Sequence, residues 1–74
     1  MKLSELKTFR EATILSVEGD DSLAMRLMEM GITENERILF LGTAPLGDPI
    51  EFEVRGYRIS LRKNEAARVC IEID

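Results

Sequence analysis

The chain has 74 residues, with 14 acidic and 10 basic side chains, which give a formal net charge of −4. A chain of this length has room for one hydrophobic core, so a single domain over 1–74 is expected. The acidic balance opposes non-specific binding to nucleic acid or to anionic lipid. Histidine is absent, which removes the most common general base and a frequent transition-metal ligand. These features argue against an enzyme and predict no cofactor.

Cysteine usage and the length of the apolar runs predict where the protein works. Cys70 is the single cysteine, so the chain cannot form an internal disulfide, and an unpaired thiol suits a reducing compartment. The apolar runs are a few residues long, whereas a membrane-spanning helix needs about 20 apolar residues. The N-terminus also lacks the apolar region of a signal peptide. The sequence therefore predicts a cytoplasmic protein without direct membrane insertion.

In chain order, a strand over 11–18 comes first and a helix over 22–30 follows. Asp20 and Asp21 introduce the helix and can accept a bond from a free backbone N–H, while Gly31 can adopt the left-handed conformation that ends it. Three methionines lie on this helix: Met25, Met28 and Met30. Thioethers bind soft metals only in clusters, and methionine at helical spacing usually fills gaps in a core. We therefore predict core packing over metal binding for the methionines, with Met30 on the same face as Leu23 and Leu27, and Met25 off that face.

A second strand is predicted over 36–43, and its continuous apolar run suggests that both of its faces are covered. Both prolines of the chain lie just after it, in the segment 44–50, which is called the corner below. Proline restricts φ and biases the residue before it toward extended backbone. Gly47 can supply a positive φ between the prolines. The segment is therefore predicted to form a defined turn.

Two alternating runs, 50–54 and 57–61, read as an antiparallel hairpin with Phe52 on the inward face. A turn at Arg55-Gly56 places Glu53 opposite Arg58, whereas a turn at Gly56-Tyr57 places two arginines opposite each other. The first turn is preferred, and the second stays open.

A helical turn over 64–67, capped by Asn64, is predicted before a last strand over 68–74. In that strand Val69, Ile71 and Ile73 face inward, which leaves Cys70 partly exposed. Five short strands and one short helix indicate a mainly β fold, a small SH3-like, partly open β-barrel of about five strands.

Positive charge is concentrated near the end of the chain. Between 55 and 68 the only acid is Glu65, and the cations are Arg55, Arg58, Arg62, Lys63 and Arg68. Such a cluster near a hairpin usually reflects pairing across strands. A binding surface is the less favoured interpretation.

Three segments taken together, 26–32, 44–51 and 61–66, closely resemble the FeoA family, and the resemblance runs from Leu3 to Ile71. It implies an SH3-like domain without catalysis that acts on a FeoB-type membrane transporter of ferrous iron, whose cytosolic part carries a GTPase domain. The same domain also occurs with metal-responsive repressors, which is the alternative assignment. The resemblance does not choose between stimulation of GTP hydrolysis, assembly and gating, and it leaves a homo-oligomer open.

The chain departs from the family pattern in two places. Thr8-Phe9 stands where the family commonly has Pro-Gly, and Glu34-Asn35 replaces a second Pro-Gly. Asparagine adopts the left-handed backbone more easily than other non-glycine residues, so Asn35 is a tolerable replacement. Thr8-Phe9 predicts a first turn of different shape.

The corner and the hairpin tip are the predicted contact surface. A rigid turn loses little entropy on docking, and Tyr and Arg are enriched at interface hot spots. The predicted partner-binding residues are Pro45, Leu46, Gly47, Asp48, Arg55, Tyr57 and Arg58.

Two other functions are weaker. Ferrous iron could bind paired carboxylates, either Asp20 with Asp21 or Glu51 with Glu53, although such pairs are usually solvated surface. A nucleic-acid surface would need the arginines beside exposed aromatic rings, and the inward place of Phe52 argues against it.

Overall fold

The computed structural model describes residues 1–7 and 10–73, and the Thr8-Phe9 prediction and Asp74 lie outside these residues. A short 3-10 turn, Leu3–Glu5, precedes the first strand. The other elements, in chain order, are β1 (Glu11–Val17), α1 (Ser22–Glu29), β2 (Arg37–Thr43), β3 (Ile50–Val54), β4 (Tyr57–Leu61), α2 (Lys63–Ala66) and β5 (Val69–Ile73). The strands form one antiparallel sheet in the order β4-β3-β2-β1-β5. The predicted SH3-like, partly open barrel is confirmed.

The β3–β4 hairpin has the predicted register. Val54 pairs with Tyr57, Glu53 with Arg58, and Phe52 with Ile59. The two loop residues have positive φ, 54° at Arg55 and 83° at Gly56. Positive φ at both positions is the signature of a two-residue type I′ loop, so the turn at Arg55-Gly56 is confirmed.

Two register shifts bend the sheet, one between Ile14 and Ser16 in β1 and one between Phe40 and Gly42 in β2. A bulge kinks its strand and increases the local twist, which lets a five-stranded sheet curl around one core. In β2, Leu39 and Leu41 are half-buried, while Ile38 and Phe40 are buried. The predicted covering of both faces is therefore only partial.

The core combines the sheet with the N-terminal segment. Phe40 and Phe52 meet edge to face at its centre, with ring centroids 5.7 Å apart. The inward place predicted for Phe52 is confirmed, since its side chain is 0% exposed. Leu3 and Leu6 close the core from the start of the chain, at 0% and 3% exposure.

The helix boundaries follow the predicted signals closely. Asp21 caps α1 by accepting a hydrogen bond from the Ala24 N–H at 3.2 Å. The helix ends at Glu29, one residue before the predicted end, and Gly31 follows with φ +99°. A Cβ at Gly31 would lie 3.3 Å from Val54 Cγ1, so this glycine is needed both for its backbone angle and for close packing.

The predicted cap of α2 is wrong. Asn64 lies inside the helix, and Arg62 occupies the N-cap position. The Arg62 N–H donates to Glu65 Oε1 at 2.8 Å, so the side chain three residues ahead satisfies the free donor, as in one half of a capping box. An N-cap signal taken from residue type alone did not detect this reciprocal bond.

The last strand agrees with its alternating pattern. Val69 and Ile71 are buried, while Ile73 and Cys70 are half-buried. The partial exposure predicted for Cys70 is confirmed. None of the helices in the described ranges has the length and apolar character needed to cross a bilayer.

Candidate functional site

The corner between β2 and β3 is an ordered turn, as predicted. The Ala44 N–H donates to the Pro49 carbonyl at 3.0 Å, and the Gly47 N–H donates to the Ala44 carbonyl at 2.8 Å. Gly47 has φ +89°, and the Asp48-Pro49 peptide is cis. Leu46 lies at the outer end of this turn with 96% of its side chain exposed. The corner thus presents an apolar side chain on a hydrogen-bonded backbone.

A carboxylate joins the corner to α2. Asp48 Oδ1 accepts a hydrogen bond from the Lys63 N–H at 3.0 Å, at the first residue of that helix. A carboxylate is favourable there because the first N–H groups of a helix have no partner within it. Asp48 is half-buried. Its contact supports a positioning role for the corner, whereas Pro45 and Leu46 point to solvent.

The hairpin tip carries the other predicted site residues. Tyr57 is 73% exposed. Arg55 Nε lies 3.8 Å from Glu36 Oε1, a loose ion pair at the surface. Arg58 stands opposite Glu53 in the sheet but forms no ion pair within the described part of the chain. The tip therefore offers one aromatic ring and unused positive charge.

The corner and the tip lie at opposite ends of the same hairpin. Ile50 pairs with Leu61 next to the corner, and Val54 pairs with Tyr57 next to the tip. Four residue steps along a strand span about 13 Å. The structure therefore does not bring the seven predicted residues into one patch, and β4 is the element that connects the two ends.

A groove at the tip was missed by the sequence analysis. It has a volume of about 250 Å³ and lies between the end of α1 and the hairpin, lined by Glu29, Met30, Gly31, Val54, Arg55 and Tyr57. The signal that could have found it is Gly31, because a glycine ending a helix permits close approach of another backbone. A second groove, of about 280 Å³, lies beside the corner and is lined by Thr43, Ala44, Pro49, Glu51 and Ser60.

Met30 on the core face and Met25 off it are confirmed, whereas core packing is wrong for Met28. Met30 is half-buried and packs against the core, but Met25 and Met28 are 57% and 43% exposed. Met25 and Met28 lie three residues apart on a side of α1 away from Leu27, whose side chain is buried in the core. The general preference of methionine for core positions did not hold at Met28.

The predicted cross-strand pairing of the basic cluster is also wrong in its main contact. Arg68 forms two bonds to Asp21, at 3.0 Å and 2.7 Å, and a third to the Glu18 carbonyl at 3.0 Å. These contacts join β5 to the loop after β1, not to the hairpin. Arg68 and the Ala24 N–H hold the pKa of Asp21 at about 2, below its ordinary value of 3.8.

The proposed carboxylate iron sites do not gain support from this geometry. Asp21 is already engaged by Arg68 and by the start of α1. Within residues 1–7 and 10–73, no three His, Cys, Asp or Glu side chains lie close enough to hold a metal ion. The nucleic-acid hypothesis loses Phe52 as a stacking surface because that ring is buried.

Glu65 is a functional link that the sequence analysis did not assign. Its carboxylate is 8% exposed and pairs with Arg26 of α1 in addition to the Arg62 N–H. Buried carboxylates are stable only when paired or hydrogen-bonded. Glu65 therefore joins α1 to α2. The turn after α1 lies against the hairpin tip, where a Cβ at Gly31 would be 3.3 Å from Val54 Cγ1.

Solved structures share this architecture. A solution structure of FeoA from Chlorobium tepidum is 40% identical and superposes with a TM-score of 0.91, covering 99% of this chain and 70% of that one. A crystal structure of Stenotrophomonas maltophilia FeoA, a prokaryotic SH3-domain protein complexed with zinc, is 34% identical with a TM-score of 0.86, covering 97% of this chain and 89% of that one.

One curated relative places the same domain in a longer protein. It is an Fe(2+) transport protein A/Fe(2+) transporter FeoB fusion protein of Porphyromonas gingivalis, 38% identical over 73 residues. The match covers 99% of this chain but only 9% of the relative's length.

The family pattern also agrees with the second departure noted in the sequence. Asn35 has φ 73°, so it adopts the left-handed backbone expected of the glycine it replaces. The FeoA domain model matches residues 1–73, nearly the whole described chain. The chain belongs to the FeoA family.

Proposed function

We propose that this protein is a non-catalytic, cytoplasmic interaction module of bacterial ferrous-iron uptake that binds the cytosolic part of a FeoB-type transporter and regulates its GTPase domain. The observation that carries the proposal is the fused relative, in which an FeoA domain and FeoB share one chain. Covalent fusion keeps two domains at high effective concentration. An FeoA domain that acts on FeoB needs a contact surface for it.

The exposed side chains at the two ends of the hairpin are the proposed contacts. Leu46 and Tyr57 are the most exposed large hydrophobic side chains in the described ranges, at 96% and 73%. Leu46 stands on a turn held by two backbone hydrogen bonds, so docking costs little backbone entropy there. Tyr57, with Arg55 and Arg58 beside it, offers the residue types that dominate interface energetics.

A binding measurement with the cytosolic part of the cognate transporter tests the proposal. The wild-type chain is expected to bind, and Leu46→Asp and Tyr57→Ala are each expected to weaken binding by about tenfold or more, as hot-spot substitutions do. Leu15→Asp is the matched control, because Leu15 is exposed at 42% on β1 but lies outside the proposed surface.

The outcomes separate the partner from the surface. Absence of binding by the wild-type chain at low and moderate salt contradicts the proposed partner. Binding of Leu46→Asp and Tyr57→Ala at the wild-type level leaves the partner in place and rejects these contacts.

A further inference from the structure

Among the described residues, one side of β4 has no strand beside it. The sheet order places β4 at an edge with β3 as its single neighbour. Because Arg55-Gly56 is a two-residue loop, the Val54–Tyr57 pair that closes it is hydrogen-bonded, and such pairs alternate along a hairpin. The backbone N–H and C=O groups of Arg58 and Ser60 therefore point away from β3. In the described ranges, neither residue makes a backbone hydrogen bond to another part of the chain.

The β4 edge carries arginine side chains that form no ion pair within the described ranges. Arg58 lies two residues after Gly56, and Arg62 lies four residues after Arg58. Both are on the same outer side of the sheet, since side chains alternate along a strand and Arg62 continues the extended backbone with φ −68° and ψ 154°. Both side chains are exposed. Neither forms an ion pair with another described residue. The protein as a whole is acidic, with a net charge of −4, so this strand differs in sign from the average surface.

The two grooves lie at the two ends of this strand. The groove at the tip is lined by Tyr57, and the groove beside the corner is lined by Ser60. Their volumes, about 250 and 280 Å³, leave room for side chains of a segment lying along β4. Each end of β4 thus has a groove beside it.

We propose that β4 is a strand-addition site, at which an extended segment of a protein partner with acidic side chains at alternate positions forms a sixth strand of the sheet. Its backbone would bond to the free groups of Arg58 and Ser60, the interaction that gives affinity in this mode of recognition. Its acidic side chains would lie opposite Arg58 and Arg62, where opposite charges on neighbouring strands are favourable. This inference rests on the proposed function for the partner's source, the cytosolic part of the transporter.

A second copy of this chain is a poor occupant of the same edge. Antiparallel pairing of β4 with itself brings the Arg58 and Arg62 side chains of two copies onto one face. Like charges on paired strands are destabilising, and charged side chains are a common protection against edge-to-edge association. The charge pattern therefore favours an acidic partner over self-association.

Substitutions at the edge can separate its backbone role from its charge. Ser60→Pro removes an outward N–H while the β3–β4 hydrogen bonds remain, because proline is tolerated where the N–H faces solvent. Ser60→Ala removes the same hydroxyl and keeps the N–H, so the difference between the two variants measures the backbone donor. Arg58→Glu reverses the charge, and Arg10→Glu makes the same change of net charge on the far side of β2, where the Arg10 carbonyl accepts from the Phe40 N–H.

The test is binding to the cytosolic part of the cognate transporter, with circular dichroism confirming that each variant is folded. Ser60→Pro and Arg58→Glu are each expected to weaken binding by about tenfold or more, and Arg10→Glu by less than about twofold. Backbone amide exchange of the wild-type chain should slow at Arg58 and Ser60 when the partner is bound.

The results distinguish the two proposals. If the wild-type chain binds but folded Ser60→Pro and Arg58→Glu bind equally well, strand addition is overturned and the proposed function stands. If the wild-type chain does not bind, both proposals fail. A dimer of the wild-type chain that Arg58→Glu strengthens and Ser60→Pro abolishes would overturn the acidic partner, because the occupant would be a second copy.

Discussion

The two edge strands of the sheet, β5 and β4, differ in what lies against their outer backbone groups. Along β5 the N-terminal segment covers the edge. The Met1 carbonyl accepts a hydrogen bond from the Ile71 N–H at 2.8 Å, and Lys2 forms an isolated antiparallel β-bridge with Cys70. Along β4 the structure shows no backbone partner within its described ranges other than β3. An unpaired edge is a template for further strands unless it is covered or charged. The chain covers one edge with its own backbone and places arginines on the other.

Side chains reinforce the closure at β5. Lys2 pairs with Glu18, and its Nζ lies 3.5 Å from Cys70 Sγ. The bond to Lys2 lowers the pKa of Glu18 below its ordinary value, and the bond to Glu18 raises the pKa of Lys2. The half-buried Cys70 thiol is therefore held inside a closed edge, whereas β4 has no comparable cluster in the described ranges.

The largest expected effect comes from opening the covered edge. Leu3→Ala removes a fully buried side chain of the segment that closes β5, and a Leu→Ala change in a core costs about 2–5 kcal/mol. A domain of this size has a total stability of only about 5 kcal/mol, so the variant should keep at most about 3 kcal/mol and unfold at a clearly lower urea concentration. Urea denaturation followed by circular dichroism measures the change.

Leu46→Ala is the matched control for that substitution. Leu46 is 96% exposed, and exposed substitutions usually change stability by less than about 0.5 kcal/mol. Equal effects of the two leucine substitutions would contradict the assignment of Leu3 to the closure of the β5 edge.

The link between the two edges should give an intermediate effect. Glu65 lies on α2, the element that joins β4 to β5, and it accepts from the Arg62 N–H and pairs with Arg26. Glu65→Ala removes the acceptor of both contacts. Because the Arg26 side chain is 61% exposed and water can replace the lost partner, the expected cost is about 0.5–1.5 kcal/mol. Urea denaturation against Glu72→Ala, an exposed glutamate of β5, measures the difference. A variant as stable as the Glu72→Ala control would show that the Glu65 contacts do not stabilise the fold.

A smaller effect is expected from the acid dependence of stability. The pKa of Asp21 is lowered to about 2 by Arg68 and the Ala24 N–H, from an ordinary value of 3.8. A lowered folded-state pKa means that the contribution to stability is complete above pH 3.8 and is lost as the pH falls toward 2. Thermal unfolding of the wild-type chain should therefore become easier through this window.

Asp21→Asn should flatten that part of the pH profile, because the substituted amide does not titrate. The neighbouring Asp20→Asn is the control, since Asp20 is exposed and makes no ion pair with another described residue. Identical acid profiles for wild type and Asp21→Asn would show that the Asp21–Arg68 contact does not contribute to stability.

The smallest expected effect is a difference in amide exchange between the two edges of the unchanged protein. The Ile71 amide, bonded to Met1, should exchange slowly, whereas the outward amides of Arg58 and Ser60 should exchange about tenfold faster or more, corresponding to ~1.4 kcal/mol in opening free energy. Hydrogen–deuterium exchange followed by NMR resolves these amides. Equal protection at the two edges would remove the difference on which the strand-addition proposal depends.

Local patterns predicted much of the fold and part of the candidate surface. The alternation over 50–61 gave the hairpin register, because side-chain direction in a strand has a fixed period of two. The prolines and Gly47 predicted the ordered corner. Helical spacing placed Met25 off the core face but did not predict the exposure of Met28, since several faces of α1 contain apolar residues and only the position of the sheet selects the buried one.

The sequence by itself determined the five strands, the β3–β4 turn, the corner and the FeoA family, because each is encoded by residues close together in the chain or by their characteristic order. The tertiary structure alone decided that the N-terminus closes β5, that Arg68 contacts Asp21 and not the hairpin, and that no described segment pairs with the outer side of β4. These contacts join residues 47 or more positions apart. Such pairings depend on how the whole sheet curls, and no local pattern of residues specifies that geometry.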